Sequence, residues 1–465
     1  VIPVKLAQIA QILDGKVVGD ASVLATGSVE TDSNMVSKGS IFFAKPGEKT
    51  DGHKFLSHAR LNGAVFAVVE HEVDDEIPQL IVKDTVVALG RLATWLVSEL
   101  REKGSLRVVG ITGSNGKTTT KNMLREILGR VGPTIAPVDS FNNKVGAPVS
   151  ILRADLETAF LVVEMGAEGF GSIEYLARMA DPDIGVILKV GLAHVGEFGG
   201  IENTALIKSE LATSLRPDAQ LVLNFDDNFV REMSEKTAAK VHYFGNTADS
   251  NYFATEIESG IDGTSYTMHW PDGSTQKVRL AILGDVQVMN ALASSAVAHL
   301  LGASKAQITD ALESMKLAER WRMQRRVRPD GVTIINDAYN ASPDSMKAAL
   351  QTLAQLGRLG SRTIAVLGEM AELGEFARAE HDSIGRLVVR LNIDQLVVVG
   401  DGAKLIHMGA SQEGSWDGES EFFSSIDEAL VYLRGILTDG DTVLVKSSKS
   451  ANLRFLGDQL MEADK

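Results

Sequence analysis

The chain has 465 residues, no cysteine, 44% hydrophobic residues and a formal net charge of −15. That length exceeds one ordinary core and predicts about three domains. The missing cysteines exclude disulfides, thiolate-held zinc and thiol catalysis, and the acidic balance argues against nucleic acid, whose binders are basic.

A few lysines and arginines still suffice to make one cleft attractive to anions. No apolar run reaches the roughly 18 residues of a membrane span. The opening VIPVKLAQIAQILDGK has no basic stretch followed by an apolar one, so no secretory signal is expected. The expectation is a cytoplasmic monomer with no membrane insertion.

Residues 1–103 read as a small α/β domain. LAQIAQIL has helical spacing, SIFFAKPGEKTDGHKF reads as strand, turn and helix start, and GAVFAVVE and QLIVKD read as strands. VVALGRLATWLVSEL is an amphipathic helix. Thr31-Asp32-Ser33-Asn34 and Asp51-Gly52-His53-Lys54 read first as turn and cap chemistry.

Residues 104–322 open on the stretch that organises the chain, LRVVGITGSNGKTTTKNMLREILGRV. An apolar strand (106–112) runs into Gly113, Ser114, Asn115, Gly116, Lys117, Thr118 and Thr119, and a helix is expected from Lys121. Glycines let backbone N–H groups approach an anion, and a helix start favours negative charge. Lys117 can reach β- and γ-phosphates and the Thr118 hydroxyl can face magnesium. Position 111 is Ile where the common phosphate-loop pattern has Gly.

AFLVVEMG, DIGVILKV and AQLVLNFD then alternate with helical stretches, which predicts a mainly parallel sheet. SYTMHWPDGSTQKVRLAIL predicts an appended antiparallel pair, and NALASSAVAHLLG a buried helix opening at Asn290. Residues 323–465 alternate strand and helix again without a phosphate loop, as a doubly wound domain.

Ligands of open α/β sheets gather beyond the carboxyl ends of the strands. Glu164 ends one such strand and reads as a magnesium ligand or a helix-cap carboxylate. His194 sits in the glycine-flanked loop GLAHVGEFGG, as site residue or polar surface. Lys208 reads by default as a solvated helix lysine. Arg320, Arg322, Arg325, Arg326 and Arg328 form either a phosphate-binding cluster or a basic linker. Asp337, Tyr339 and Asn340 follow the first strand of the last segment.

Together these residues resemble the ATP-dependent Mur ligases of peptidoglycan synthesis over essentially the whole chain. TGSNGKTT is similar to that family's variant phosphate loop. The runs Asn142-Asn143-Lys144-Val145-Gly146-Ala147-Pro148, Glu164-Met165-Gly166-Ala167 and Asp337-Ala338-Tyr339-Asn340-Ala341-Ser342-Pro343-Asp344-Ser345-Met346 resemble the members that add D-alanyl-D-alanine.

The resemblance implies three domains: a UDP-substrate domain, a phosphate-loop ATPase-like domain and a Rossmann-like domain. It implies Lys117 and Arg322 on the phosphates, with Thr118, Glu164, His194 and Lys208 on a pair of magnesium ions. Lys208 would carry a CO₂-derived carbamate. Asn290 falls near adenine, Asp337 near ribose, and Tyr339 and Asn340 close to the nucleotide. Thr31, Asp32, Ser33, Asn142 and Asn143 would meet the UDP-linked substrate.

The implied activity is ADP-forming amide ligation, joining D-Ala-D-Ala to a UDP-N-acetylmuramoyl tripeptide through an acyl phosphate. A sister ligase adding the third peptide residue, or a folylpolyglutamate-type ligase, is the alternative. Asn34 departs from the family's usual Arg, Val286 from His, and Lys189 and Ser342 from Asn. Ser447 and Lys449 depart from Gly and Arg in the last strand's motif.

Overall fold

The computed structural model describes residues 2–462 apart from 48–49, 138–140, 194, 261, 316–319, 415 and 417. Three α/β domains follow one another along the chain, with mainly parallel sheets.

The first carries a five-stranded sheet, in the order Lys16–Val18, Gln79–Ile81, Phe66–Val69, Ile41–Phe43, Val29–Glu30. All neighbours are parallel except the first pair. Asp51 caps the turn after it by accepting from the His53 N–H at 3.0 Å, the local chemistry expected there.

The helix Thr85–Lys103 closes this domain and joins it to the next. Asp84 caps it by accepting from the Val86 and Val87 N–H groups. Its apolar residues recur at three- and four-residue steps from Ala88 to Leu100, and they share one core with strands of the first domain and helices of the second. Gly90 permits the contact: a Cβ there would lie 2.0 Å from the Tyr175 hydroxyl.

The second domain's nine-stranded sheet has Arg107–Thr112 between Phe160–Glu164 and Ile184–Ile187. Gln220–Asn224, Lys240–Gly245 and Tyr252–Gly260 extend it in parallel beyond Ile184–Ile187. The expected pair Gly263–His269 and Thr275–Leu280 then adds in antiparallel fashion at the edge. After Arg107–Thr112 the chain fills one side of that strand, then crosses to the other. Such a reversal splays the connecting loops apart and opens a crevice at the strand ends.

Two helices start earlier than their sequences predict. Lys117–Leu128 begins four residues before Lys121, because Gly116 turns the chain at φ +87° and packing outweighs the weak helix propensity of the three threonines. Val286–Leu300 begins ahead of Asn290, which therefore lies one turn inside the helix.

The third domain orders its six strands Gln324–Val327, Thr333–Asn336, Thr442–Lys446, Thr363–Leu367, Gln395–Val399, Glu419–Phe423. The first is an antiparallel edge and the rest are parallel. Gln324–Val327, Glu419–Phe423 and the helix Lys404–Glu413 were not expected from the sequence; the two strands are polar edge segments without an apolar run. Val195 and Leu283 from the second domain are buried in this domain's core, so the two lobes are packed together.

Candidate active site

The carboxyl end of Arg107–Thr112 opens into a cavity of about 870 Å³ between the second and third domains. Gly113 to Thr119, Asn142, Asn143, Glu164, Lys208, Asn290, Arg322, Asp337, Tyr339 and Asn340 all line it. That volume lies in the range of small-molecule sites.

The loop Gly113 to Thr119, the expected phosphate cradle, is pinned on both sides. The Ser114 N–H donates to the Lys189 carbonyl at 2.8 Å, and the Gly191 N–H donates to the Ser114 hydroxyl at 2.9 Å. At Gly116 a Cβ would sit 2.4 Å from Asn290 Oδ1, so only glycine lets the loop lie against that helix. Asn290 also donates to Gln287 at 3.0 Å, and its Oδ1 lies 3.4 Å from the Thr120 hydroxyl. Lys117 Nζ donates to the Gly113 carbonyl at 2.7 Å.

Glu164 is 1% exposed and held from several sides. The Thr118 hydroxyl donates to Oε2 at 3.1 Å, Asn142 Nδ2 donates to Oε1 at 2.8 Å, and Lys121 Nζ lies 3.9 Å from Oε2. Asn143 accepts the Gly146 N–H on its Oδ1 at 2.9 Å, in the turn leading into the next helix. Lys208, expected by default to be solvated, is instead 3% exposed on Ile201–Ser214. Burial, reinforced by the nearby Lys117 ammonium, pushes the Lys208 amine well below the ordinary lysine range. Burial also lowers Lys117, with Glu164 opposing and Arg322 adding to the shift. Buried basic groups crowded at one cleft are uncomfortable alone and suited to a polyanion.

The third domain and the junction leading into it supply the opposite wall. Arg322 stands between Trp321 at φ +64° and Met323 at φ +48°, two left-handed non-glycine residues. Such backbone costs about 1–3 kcal/mol per residue and persists where surrounding contacts impose it. Here Trp321 Nε1 donates to Asp458 at 2.9 Å and the Met323 N–H donates to Asp337 at 2.9 Å. The Arg322 guanidinium lies 4.1 Å from the Tyr339 ring centroid, a cation–π contact. Lys446 ion-pairs with Asp337 and donates to the Asn340 carbonyl at 3.2 Å.

Sequence reasoning missed Lys446 and Lys121. The available sign was a charged residue ending the apolar strand TVLVK, and a second lysine one helical turn after Lys117. The arginine cluster does not converge: Arg320 pairs with Asp458 at 2.8 Å, Arg325 with Asp262 at 3.7 Å, and Arg328 with Asp330. Arg322 is its member at the cavity.

Thr31, Asp32 and Ser33 lie away from this cavity, just beyond the strand Val29–Glu30. Asp32 accepts from Asn34, and the Ser33 hydroxyl meets His58 Nδ1 at 3.0 Å. His194 lies outside the described residues. Among the departures, Val286 lines the cavity and Lys189 pairs with Asp344 at 3.3 Å.

Three family models match the chain in series: "Mur ligase family, catalytic domain" over 27–100, "Mur ligase middle domain" over 111–298, and "Mur ligase, glutamate ligase domain" over 321–449. The UDP-N-acetylmuramoyl-tripeptide–D-alanyl-D-alanine ligase of Mycobacterium tuberculosis is 40% identical, the match covering 100% of this chain and 98% of the relative. A crystal structure of MurF from Acinetobacter baumannii is similar with TM-score 0.90 and 32% identity, over 99% of each chain. MurF ligase from Thermotoga maritima in complex with ADP is similar with TM-score 0.81 and 27% identity, over 94% of this chain and 97% of that one.

Proposed function

The chain belongs to the Mur ligase family, and from that premise we propose that it adds D-alanyl-D-alanine to UDP-N-acetylmuramoyl tripeptide with ATP, releasing ADP and phosphate. The observation that carries this reading is one cavity holding the phosphate loop, Glu164 and Lys208 from one domain, Asp337 and Tyr339 from the next, and Arg322 at the junction of the two. The full-length relative at 40% identity bears the name of this activity, which favours it over the ligase that adds the third residue or a folylpolyglutamate-type ligase.

A carboxylate is a poor electrophile because its leaving group would be oxide. The terminal carboxylate of the tripeptide therefore attacks the γ-phosphorus, the bond to ADP breaks, and an acyl phosphate forms. The D-Ala-D-Ala amine then attacks the acyl carbon, and the tetrahedral adduct expels phosphate as the amide forms and the amine loses its proton. Lys117 and Arg322 face the charge that spreads over the transferring group, so catalysis is mainly positioning and electrostatics.

The site's donor set fits magnesium. The buried Thr118 hydroxyl and Glu164 carboxylate face one another at 3.1 Å, and hard oxygens are what this ion takes. Thr118, Glu164, His194 and a carbamate on Lys208 are the proposed holders, and the ions would neutralise charge on the β- and γ-phosphates. The depressed Lys208 amine supports the carbamate: burial favours the deprotonated form, whose lone pair would bond to the CO₂ carbon while one proton leaves to water.

Asp337, Tyr339, Asn340 and Asn290 are the proposed contacts to the nucleoside. Thr31, Asp32 and Ser33 are assigned to the UDP moiety, and Asn142 and Asn143 to the UDP-linked substrate. The proposed domain limits are 1–103, 104–322 and 323–465. Among the described residues no helix is long and apolar enough to cross a membrane, and we place the reaction in the cytoplasm.

Mass spectrometry of a reaction with ATP, Mg²⁺, UDP-N-acetylmuramoyl tripeptide and D-Ala-D-Ala tests the reading. A pentapeptide nucleotide formed one for one with ADP is expected. ADP release without peptide growth, or growth with a single amino acid instead, would overturn it.

A further inference from the structure

Two loops of the nucleotide cavity are tied to one helix end in the third domain. Ser342 caps the helix Pro343–Gly357, and its hydroxyl donates to Asn115 Oδ1 in the phosphate loop at 3.1 Å. Asp344, in the first turn, accepts the Leu192 N–H at 3.0 Å through Oδ2 and faces Lys189 Nζ at 3.3 Å through Oδ1. An acidic residue in a first turn is ordinary. What the helix dipole does not explain is its aim at a backbone N–H of another domain.

The fit on the receiving side is close. A Cβ on Gly191 would lie 2.3 Å from Asp344 Oδ2, so the carboxylate fills the space a side chain would occupy. Further along the same connection Val195 is buried in the third domain's core, and a Cβ on Gly196 would meet the Gly374 nitrogen at 2.4 Å. The segment after the strand Ile184–Ile187 is therefore gripped at both ends by the third domain.

That segment reaches the phosphate loop directly. The Lys189 carbonyl accepts the Ser114 N–H, and Gly191 exchanges hydrogen bonds with the Ser114 hydroxyl, receiving one at its carbonyl at 3.2 Å and donating one from its N–H at 2.9 Å. A chain of contacts thus runs from Asp344 through residues 189–192 to Ser114.

We propose that Asp344 is a positioning residue for phosphoryl transfer, locking the 189–192 segment and through it the phosphate loop when the third domain is docked. The inference rests on the ligase reading above. It makes the geometry around the transferring phosphoryl group depend on closure, so ATP is not spent until the lobes meet. Misplacement by about 1 Å is enough to cost two orders of magnitude in rate.

The test approaches the contact from both sides. Asp344→Ala removes the carboxylate, Gly191→Ala displaces it without touching it, and isosteric Asp344→Asn guards against a folding defect. Because the chain has no cysteine, dyes on Leu156→Cys and Val431→Cys, both exposed positions, report inter-domain distance by energy transfer.

Asp344→Ala and Gly191→Ala should each lower kcat at least about tenfold and broaden the distance distribution with ATP bound, while KM for D-Ala-D-Ala holds. Their double variant should fall no further than either alone. Asp344→Asn, which keeps an oxygen to accept the Leu192 N–H, should lose less than Asp344→Ala. Wild-type kcat in Asp344→Ala or Gly191→Ala, additive losses, or an unchanged distance distribution would overturn the proposal. An unmodified enzyme that makes no pentapeptide nucleotide would instead sink the ligase reading, and the energy-transfer measurement would still judge the clamp.

Discussion

The Thr118 hydroxyl donates to Glu164 at 3.1 Å, joining the first turn of the phosphate-loop helix to the end of the neighbouring strand. The register makes the pairing inevitable: Glu164 lies opposite Ile111 in the parallel ladder, two residues before the loop begins.

Replacing Glu164 with Gln keeps the volume and removes the charge. ADP release should drop about a hundredfold or more, and half-maximal rate should need more Mg²⁺. Circular dichroism should stay unchanged. A Mg²⁺ titration of the initial rate checks this, and a profile superimposable on wild type would take Glu164 out of the metal site.

Lys208 offers a separate reading of the same centre. In ¹³C-bicarbonate the folded protein should show a carbamate carbon resonance that Lys208→Ala lacks, and the variant should lose nearly all turnover. The low-lying amine gives up its proton at a lower pH than an ordinary lysine, so the resonance should hold to lower pH than a carbamate on a solvent-exposed lysine. Full activity of Lys208→Ala at saturating ATP and Mg²⁺ would remove the carbamate from the mechanism.

Gly116→Ala tests the turn itself. The left-handed backbone and the 2.4 Å approach to Asn290 both oppose a methyl group. Stability should fall by about 1–3 kcal/mol, read as a lower thermal midpoint, and ADP affinity by calorimetry should weaken. The same substitution at Gly302, also at positive φ but with open space around its Cβ, should cost stability without changing ADP affinity.

Acid sensitivity should arise partly far from the cavity. Burial, with Lys305 adding and Asp272 opposing, lowers the pKa of His299, which meets the Tyr252 hydroxyl at 2.9 Å. The unfolded chain, with histidine near 6.5, takes up the proton first. Stability from this group is complete above about pH 6.5 and is lost as pH falls towards the lower folded value. His242, lowered by burial and Lys240, acts with the same sign. Thermal midpoints at about pH 7.5 and about pH 5.5 should differ less in His299→Gln than in wild type; an equal difference would discount the histidine.

The sequence carried the identity of the elements where periodicity and composition are strong. The apolar strands flanking the phosphate loop and the Pro-Asp-Gly-Ser hairpin could be read directly, because each follows from local backbone preference and one buried face. It was less reliable at helix starts. Lys117–Leu128 begins among threonines that disfavour helix, and the left-handed turn at Gly116 together with packing against Asn290 and its helix sets that boundary.

By itself the sequence determined that a glycine-rich turn carrying Lys117 and Thr118 sits at a strand–helix junction in a chain of alternating α/β units, because glycine, lysine and hydroxyl chemistry is local. Tertiary structure alone decided which charges converge. Five arginines crowd one stretch of sequence, yet Arg322 reaches the cavity while Arg320, Arg325 and Arg328 face aspartates elsewhere. Lys208 on a helix looked solvated and is buried beside Lys117. Asp344 and Leu192, 152 positions apart, meet across two domains. Side-chain type is written residue by residue, but burial and pairing depend on sheet order and domain docking, which sum many long-range contacts that no short stretch encodes.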